Sequence, residues 1–239
     1  MTYQTAIYKL DKRWKKGRKI IQLEENDLPN ELSFEMLSNI FVKAQMKCFK
    51  DENLDNENKD RLNMLFLKKD DPTIAVAISI FLNNGDRDLL DFNDIGLLTL
   101  QKISINSLTD TTMTRNSKGS EVIVINEVCR AVINKEKLIG GTPIPNIINV
   151  SEKFIHMSPK NELYLYVDKH PDHGSGDILM QYYSSGYKGK GGYGFELFYD
   201  DENYYYMKKN LSNKSIGGKK RKTFKRKTKK LKKRKTIKR

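Results

Sequence analysis

The chain has 239 residues, a formal net charge of +14, and 38% hydrophobic and 10% aromatic residues. That apolar share is enough for a real core and excludes a chain disordered throughout, and no apolar run reaches the length needed to span a bilayer. The charge is unevenly placed: residues 219–239 hold 15 of the 44 Lys and Arg and none of the 30 acids, leaving 29 basic against 30 acidic groups elsewhere, so the body is neutral.

After the first residues there is no apolar signal core, and the expectation is a soluble intracellular protein. Two cysteines, Cys48 and Cys129, make no disulfide framework and have no zinc-type partners, so both read as buried thiols. Residues 3–17 mix aromatics with Lys-Arg-Trp-Lys-Lys-Gly and suit no single element. Residues 19–23 read as a strand followed by an acidic turn. From Glu31 to Phe49 the apolar residues Leu32, Met36, Leu37, Ile40, Phe41, Ala44 and Cys48 recur at helical spacing and predict an amphipathic helix.

Residues 50–60, acidic and rich in Asn, read as loop or a short helix. Residues 62–67 and 73–82 predict two strands joined at Asp71-Pro72, because Asp-Pro favours turn initiation. Residues 83–96 read as a polar insertion carrying Asp86, Asp88, Asp91 and Asp94, a cluster that could attract a cation but is more simply a solvated loop, since it lacks EF-hand spacing. A strand around residues 97–105 follows, and Val122-Ile-Val-Ile favours another, which extends over Glu121 to Val132 on one of the two loop placements weighed below. Pro145 can open a helix whose stripe is Ile147, Ile148, Ser151, Phe154 and Ile155 and which ends before Pro159.

The most informative stretch is residues 162–187. Leu163 to Val167 is an unbroken apolar and aromatic run, too short for a helix and typical of a strand buried on both faces. His170-Pro171-Asp172-His173-Gly174 turns the chain, Ser175 can cap a helix, and Asp177 stands in the first turn where the dipole favours a carboxylate. Ile178, Leu179, Tyr182 and Tyr183 share one helical face, and Gly186 suits a left-handed C-cap. His170 and His173 sit on a turn with no third ligand in view and read as loop. Beyond Tyr187, residues 193–199 and 204–208 predict a hairpin turned at Asp-Asp-Glu-Asn.

A strand, turn and helix ending in Tyr182-x-x-x-Gly186-Tyr187 resembles the C-terminal motif of the GNAT superfamily of acyl-CoA N-acyltransferases, with Ser175 where the family usually has Asn. The likeness extends over residues 18–212, from the opening strand and helix to the closing Tyr-Met-Lys-Lys. It implies a single α/β (α+β) domain, residues 1–212, with a mixed twisted sheet flanked by helices and a parallel pair of strands joined by a helix over about 145–157. It also implies acetyl-CoA as co-substrate, a primary amine as acceptor, and Tyr182 as the acid that returns a proton to the leaving thiolate. Ordinary core packing on an amphipathic helix is the plainer role for Tyr182 and Tyr183. Glu127 falls where some members keep the base that deprotonates the amine, and a surface position on a strand is its alternative.

Two segments compete for the family's pyrophosphate loop. Arg115 to Ser120 puts Lys118 at the first glycine and demands a helix beginning at Val122, where β-branched residues favour a strand. Lys137, Gly140, Gly141 and Thr142 fit better, because a strand precedes them and a helix follows. A glycine turn at a helix start lets backbone N–H groups approach a pyrophosphate. On this alignment the pantetheine arm runs past Arg130, Ala131 and Val132. The competing class is a GNAT fold without turnover that acts through its tail.

Residues 213–239 cannot bury enough apolar surface to fold and repel themselves. They read as a disordered polybasic tail that tethers the protein to nucleic acid or another polyanion, directs import, or only solubilises. Such tails resemble those on many proteins of large DNA viruses.

Overall fold

The computed structural model describes residues 3–23, 27–48, 71–82, 92–105, 121–132, 142–156, 161–170 and 175–211. In chain order these form β1 (Gln4–Asp11), β2 (Lys16–Leu23), β3 (Glu31–Ser33), α1 (Phe34–Cys48), β4 (Thr73–Leu82), β5 (Phe92–Ser104), β6 (Glu121–Val132), α2 (Ile144–His156), β7 (Glu162–Asp168), α3 (Gly176–Tyr183), β8 (Glu196–Asp200) and β9 (Tyr204–Asn210). The strands make one sheet in the order β3-β2-β1-β4-β5-β6-β7-β9-β8. Every pair is antiparallel except β6 with β7, which α2 connects. This mixed α/β sheet, antiparallel in its N-terminal half with one parallel pair joined by a helix, is the arrangement the GNAT resemblance implied.

The sheet is wrapped on both faces because its central strands are apolar on both. In β1, Ala6, Ile7 and Tyr8 are successive and all fully buried. Ala6 and Tyr8 pack under α1 with Leu37, Ile40, Phe41 and Ala44, whereas Ile7 packs under α2 with Ile147, Ile148, Val150 and Ile155. Burying each of the Leu, Ile, Val and Phe side chains contributes about 1.5–3 kcal/mol, so these two layers hold the sheet. At the start of α2 the chain approaches β5 closely: a Cβ on Gly96 would lie 2.7 Å from Pro143 Cβ. At its other end Lys209 of β9 pairs with Glu152.

Several expectations need correction. The strand beside β4 is β1, within the segment that suited no single element, and the expected first strand is β2, displaced one place toward the edge. Residues 31–33 pair with β2 instead of starting the helix, and Met36 is 36% exposed instead of facing the core. Asp94 is no loop residue: it lies in β5 and is fully buried, because Arg130 and Tyr3 bind its carboxylate. Cys129 is disulfide-bonded rather than a thiol, and its sulfur lies 3.6 Å from the Ala44 carbonyl of α1. The expected strand at 62–67, the aspartates 86, 88 and 91, both loop candidates before Thr142, His173 and the tail lie outside the described residues.

Among the described residues no helix is long and apolar enough to cross a membrane. No group of three or more His, Cys, Asp or Glu among them could hold a metal ion.

Candidate active site

The site begins with a defect in one strand. Through β6 the register against β5 is regular from Glu121 to Ile125, then shifts so that Leu100 faces Ile125 while Thr99 faces Glu127. Asn126 is therefore the extra residue of a β-bulge, a device that bends a strand and raises its twist. On the other edge, β6 pairs with β7 only at Ile123↔Leu163, Val124↔Tyr164 and Ile125↔Leu165. The pairing stops where the bulge starts. Beyond it the two strands part, while β7 stays fully paired to β9 through Asp168↔Tyr204.

The gap is a cleft of about 210 Å³, walled by Asn126 and Val128 on one strand, Tyr166 and Asp168 on the other, and Leu179 and Tyr183 of α3. At its mouth the Tyr166 hydroxyl donates to Asn126 Oδ1 at 2.7 Å, a side-chain link across strands that no longer share backbone bonds. Buried backbone N–H and C=O groups seek partners, and a strand edge without a neighbour offers them to an extended ligand.

Helix α3 and the loop after it build the end of the cleft. Gly186 has φ +98 and closes the helix as its spacing predicts, although Ser175 makes no side-chain capping bond. The chain then turns back over α3: Gly192 N–H donates to the Tyr182 carbonyl at 2.8 Å and Phe195 N–H to the Tyr183 carbonyl at 3.2 Å. Gly191, at φ +77, passes so close that a Cβ there would sit 2.3 Å from the Tyr182 carbonyl oxygen. Only glycine fits such a conformation and contact. The return brings Tyr193 against Tyr182, with ring centroids 5.5 Å apart and hydroxyls 3.1 Å apart. Tyr183 stacks edge-on to Tyr182 at 5.5 Å. Burial pushes the Tyr183 hydroxyl well above the usual tyrosine range, and burial followed by the bond to Tyr182 does the same for Tyr193.

The residues singled out from sequence fall in three places. Tyr182 is on α3, but the tyrosine that lines the cleft is its neighbour Tyr183. Glu127 lies on β6 one position past the bulge, opposite Thr99. Arg130, Ala131 and Val132 end β6 along the parted edge. Ala131 packs in the α1 layer. Arg130 faces the α2 side, where its Nε and Nη2 grip both oxygens of Asp94 at 2.7–3.2 Å and Tyr3 donates to the same carboxylate at 2.6 Å. That carboxylate raises the Arg130 pKa further. Thr142 stands before α2 with its Oγ1 3.5 Å from the Ile144 N–H, whereas Lys137, Gly140 and Gly141 lie outside the described residues. The alternative alignment at Arg115 required a helix from Val122, and residues 121–132 are strand. The first turn of α2 carries no acidic residue, which leaves its N-terminal dipole open to an anion.

Sequence reasoning missed Asn126, Tyr166, Tyr183 and Tyr193. A signal existed for one: Asn126 interrupts the run Val-Ile-Val-Ile just where the bulge forms.

No protein-family model matches the chain, and no curated protein matches it. Among solved structures, the crystal structure of Arabidopsis thaliana NAA60 in complex with acetyl-CoA matches at a TM-score of 0.41 and 12% identity, over 73% of this chain and 94% of that one.

Proposed function

We propose that the protein is an N-acetyltransferase that moves an acetyl group from acetyl-CoA to a primary amine by direct attack. The observation that carries this reading is the parting of β6 from β7 at the Asn126 bulge, after only three paired positions in two adjacent parallel strands. A thin, extended amide-bearing chain such as pantetheine suits that gap, because it can bond to both exposed strand edges. The order of residues along β6 fits as well. Thr142 and the acid-free first turn of α2, with Lys137, Gly140 and Gly141 before them, would hold the pyrophosphate. The backbone of Arg130, Ala131 and Val132 would guide the arm toward Asn126, while the Arg130 side chain stays on Asp94.

When bound, acetyl-CoA supplies an acyl group activated as a thioester. Glu127 takes a proton from the acceptor ammonium, so that a neutral nitrogen can form the amide bond as the carbon–sulfur bond breaks. Tyr182 returns a proton to the thiolate, and Tyr193, hydrogen-bonded to it, orients its hydroxyl. The tail, residues 219–239, localises the enzyme on nucleic acid or another polyanion through its 15 cations.

Calorimetric titration with acetyl-CoA, followed by mass spectrometry of an amine panel, tests the reading. Binding and amide formation are expected. No binding at millimolar ligand ends it, and binding without product on any amine leaves a GNAT-fold binding protein.

A further inference from the structure

At the opposite end of the sheet from the first turn of α2, the β1–β2 hairpin carries a different kind of surface. Residues 9–19, Lys-Leu-Asp-Lys-Arg-Trp-Lys-Lys-Gly-Arg-Lys, hold seven cations and one acid, inside a body that is close to neutral only with them counted. The tip is held by a side-chain-to-backbone turn. Asp11 Oδ1 accepts the N–H groups of Arg13 and Trp14 at 3.1 and 3.2 Å, and Lys15 turns the chain at φ +49. On this tip the chain's one tryptophan is 65% exposed, with the Arg13 guanidinium 5.2 Å over its ring.

Beside the tip opens a groove of about 610 Å³, floored by Ile20 and Ile74 and edged by four cations, Lys9, Lys12, Arg18 and Lys102, against two carboxylates, Asp11 and Asp71. Three of these cations have acidic partners, Lys12 with Asp71, Arg18 with Glu31 and Lys102 with Glu121. Lys16 shares Glu31 with Arg18. Lys9, Arg13 and Lys15 form no ion pair among the described residues, and they run from the groove wall to the tip.

From this juxtaposition we infer that the hairpin and its groove bind single-stranded nucleic acid, with a base stacked on Trp14 and phosphates along Lys9, Arg13 and Lys15. A solvent-exposed aromatic ring beside a cationic groove is what unpaired bases need, because every base has a face to stack while a duplex hides it. A membrane surface fits less well. Trp14 stands between Arg13 and Lys15, and among the described residues none of the other exposed large apolar side chains, Met36, Tyr166, Ile178 and Leu197, belongs to the hairpin. The inference is independent of the acetyltransferase reading. It also differs from the tail's role, since the tail has Phe224 as its single aromatic residue and offers little stacking.

The lone tryptophan makes the test direct. In the full chain at near-physiological salt, an oligothymidylate of about eight nucleotides should quench Trp14 emission saturably, and a duplex of equal length should quench it far less. A Lys9→Gln, Lys15→Gln double variant, altered only at exposed positions and checked for an unchanged circular dichroism spectrum, should still quench but with a salt slope reduced by about 1.4. Anisotropy of the labelled oligonucleotide reports total binding in parallel. The proposal is overturned if the oligonucleotide binds without changing Trp14 emission, which would leave the tail as the sole site. It is overturned equally if duplex and single strand quench alike, or if phosphatidylserine vesicles shift the emission while the oligonucleotide does not.

Discussion

The two edges of β6 are made from the same residues and do opposite things. Toward β5 it is registered at eleven positions from end to end, with one bulge absorbed on the way. Toward β7 it is registered at three and then abandoned. The N-terminal side is thus a continuous ladder under two helices, where apolar burial and backbone bonds support each other. The C-terminal side gives up ladder bonds that such a neighbour could have made, and unpaired buried backbone costs roughly 1–3 kcal/mol per group unless a ligand or water meets it. What differs is the neighbour: α3 and the glycine-rich return to Tyr193 brace the gap from one end and let it persist.

This contrast predicts that substitutions on the parted side change turnover more than stability, and those on the paired side the reverse. The largest effect expected is on rate. Tyr182→Phe should lower kcat by roughly 10²–10⁴-fold with little change in acetyl-CoA affinity, and Tyr183→Phe by much less. Steady-state kinetics on both variants decides between them, since the opposite ranking would assign the acid to the tyrosine that lines the cleft. On the paired side, Asp94→Ala strips the partly buried Arg130 of its partner and should cost about 3 kcal/mol in urea unfolding, with an unchanged m value. Gly191→Ala brings a Cβ onto the Tyr182 carbonyl at positive φ, and should cost about 2 kcal/mol while releasing Tyr193 from Tyr182.

The smallest effect is an acid one. Burial by itself would raise the Asp201 carboxyl, but the N–H of Tyr204, the Tyr206 hydroxyl and the N–H of Asn203 outweigh it and hold the group below its ordinary value. A carboxyl depressed on folding stabilises fully above its unfolded pKa of about 4 and loses that contribution as pH falls through the folded value. The β8–β9 turn should therefore loosen first on acidification. Hydrogen exchange there should rise below about pH 4, and Asp201→Asn should abolish that pH dependence.

Much of the paired framework was legible because it is written in local pattern. Glu121 to Val132 is strand over just those residues, and α2 and β7 lie within a residue or so of their expected ends, since each is a run whose period or β-branching speaks for itself. β1 was not legible. Its buried apolar run is only Ala6, Ile7 and Tyr8, after the buried Thr5, and the lysines that follow belong to a hairpin reaching past the sheet. Asp94 misled for another reason: a carboxylate can sit in a central strand only with a partner, and Arg130 is 36 residues away. The cleft is an absence of pairing, which no periodicity records; the motif located α3, but not which of its adjacent tyrosines turns to the gap.

Hydrogen exchange with and without acetyl-CoA tests the central claim most directly, because it reads the two edges of β6 residue by residue. The prediction is that acetyl-CoA protects amides in residues 126–128 and 166–168, together with the first turn of α2, and leaves the β4–β5 ladder unchanged. Protection absent from both parted edges, with acetyl-CoA bound, would contradict it.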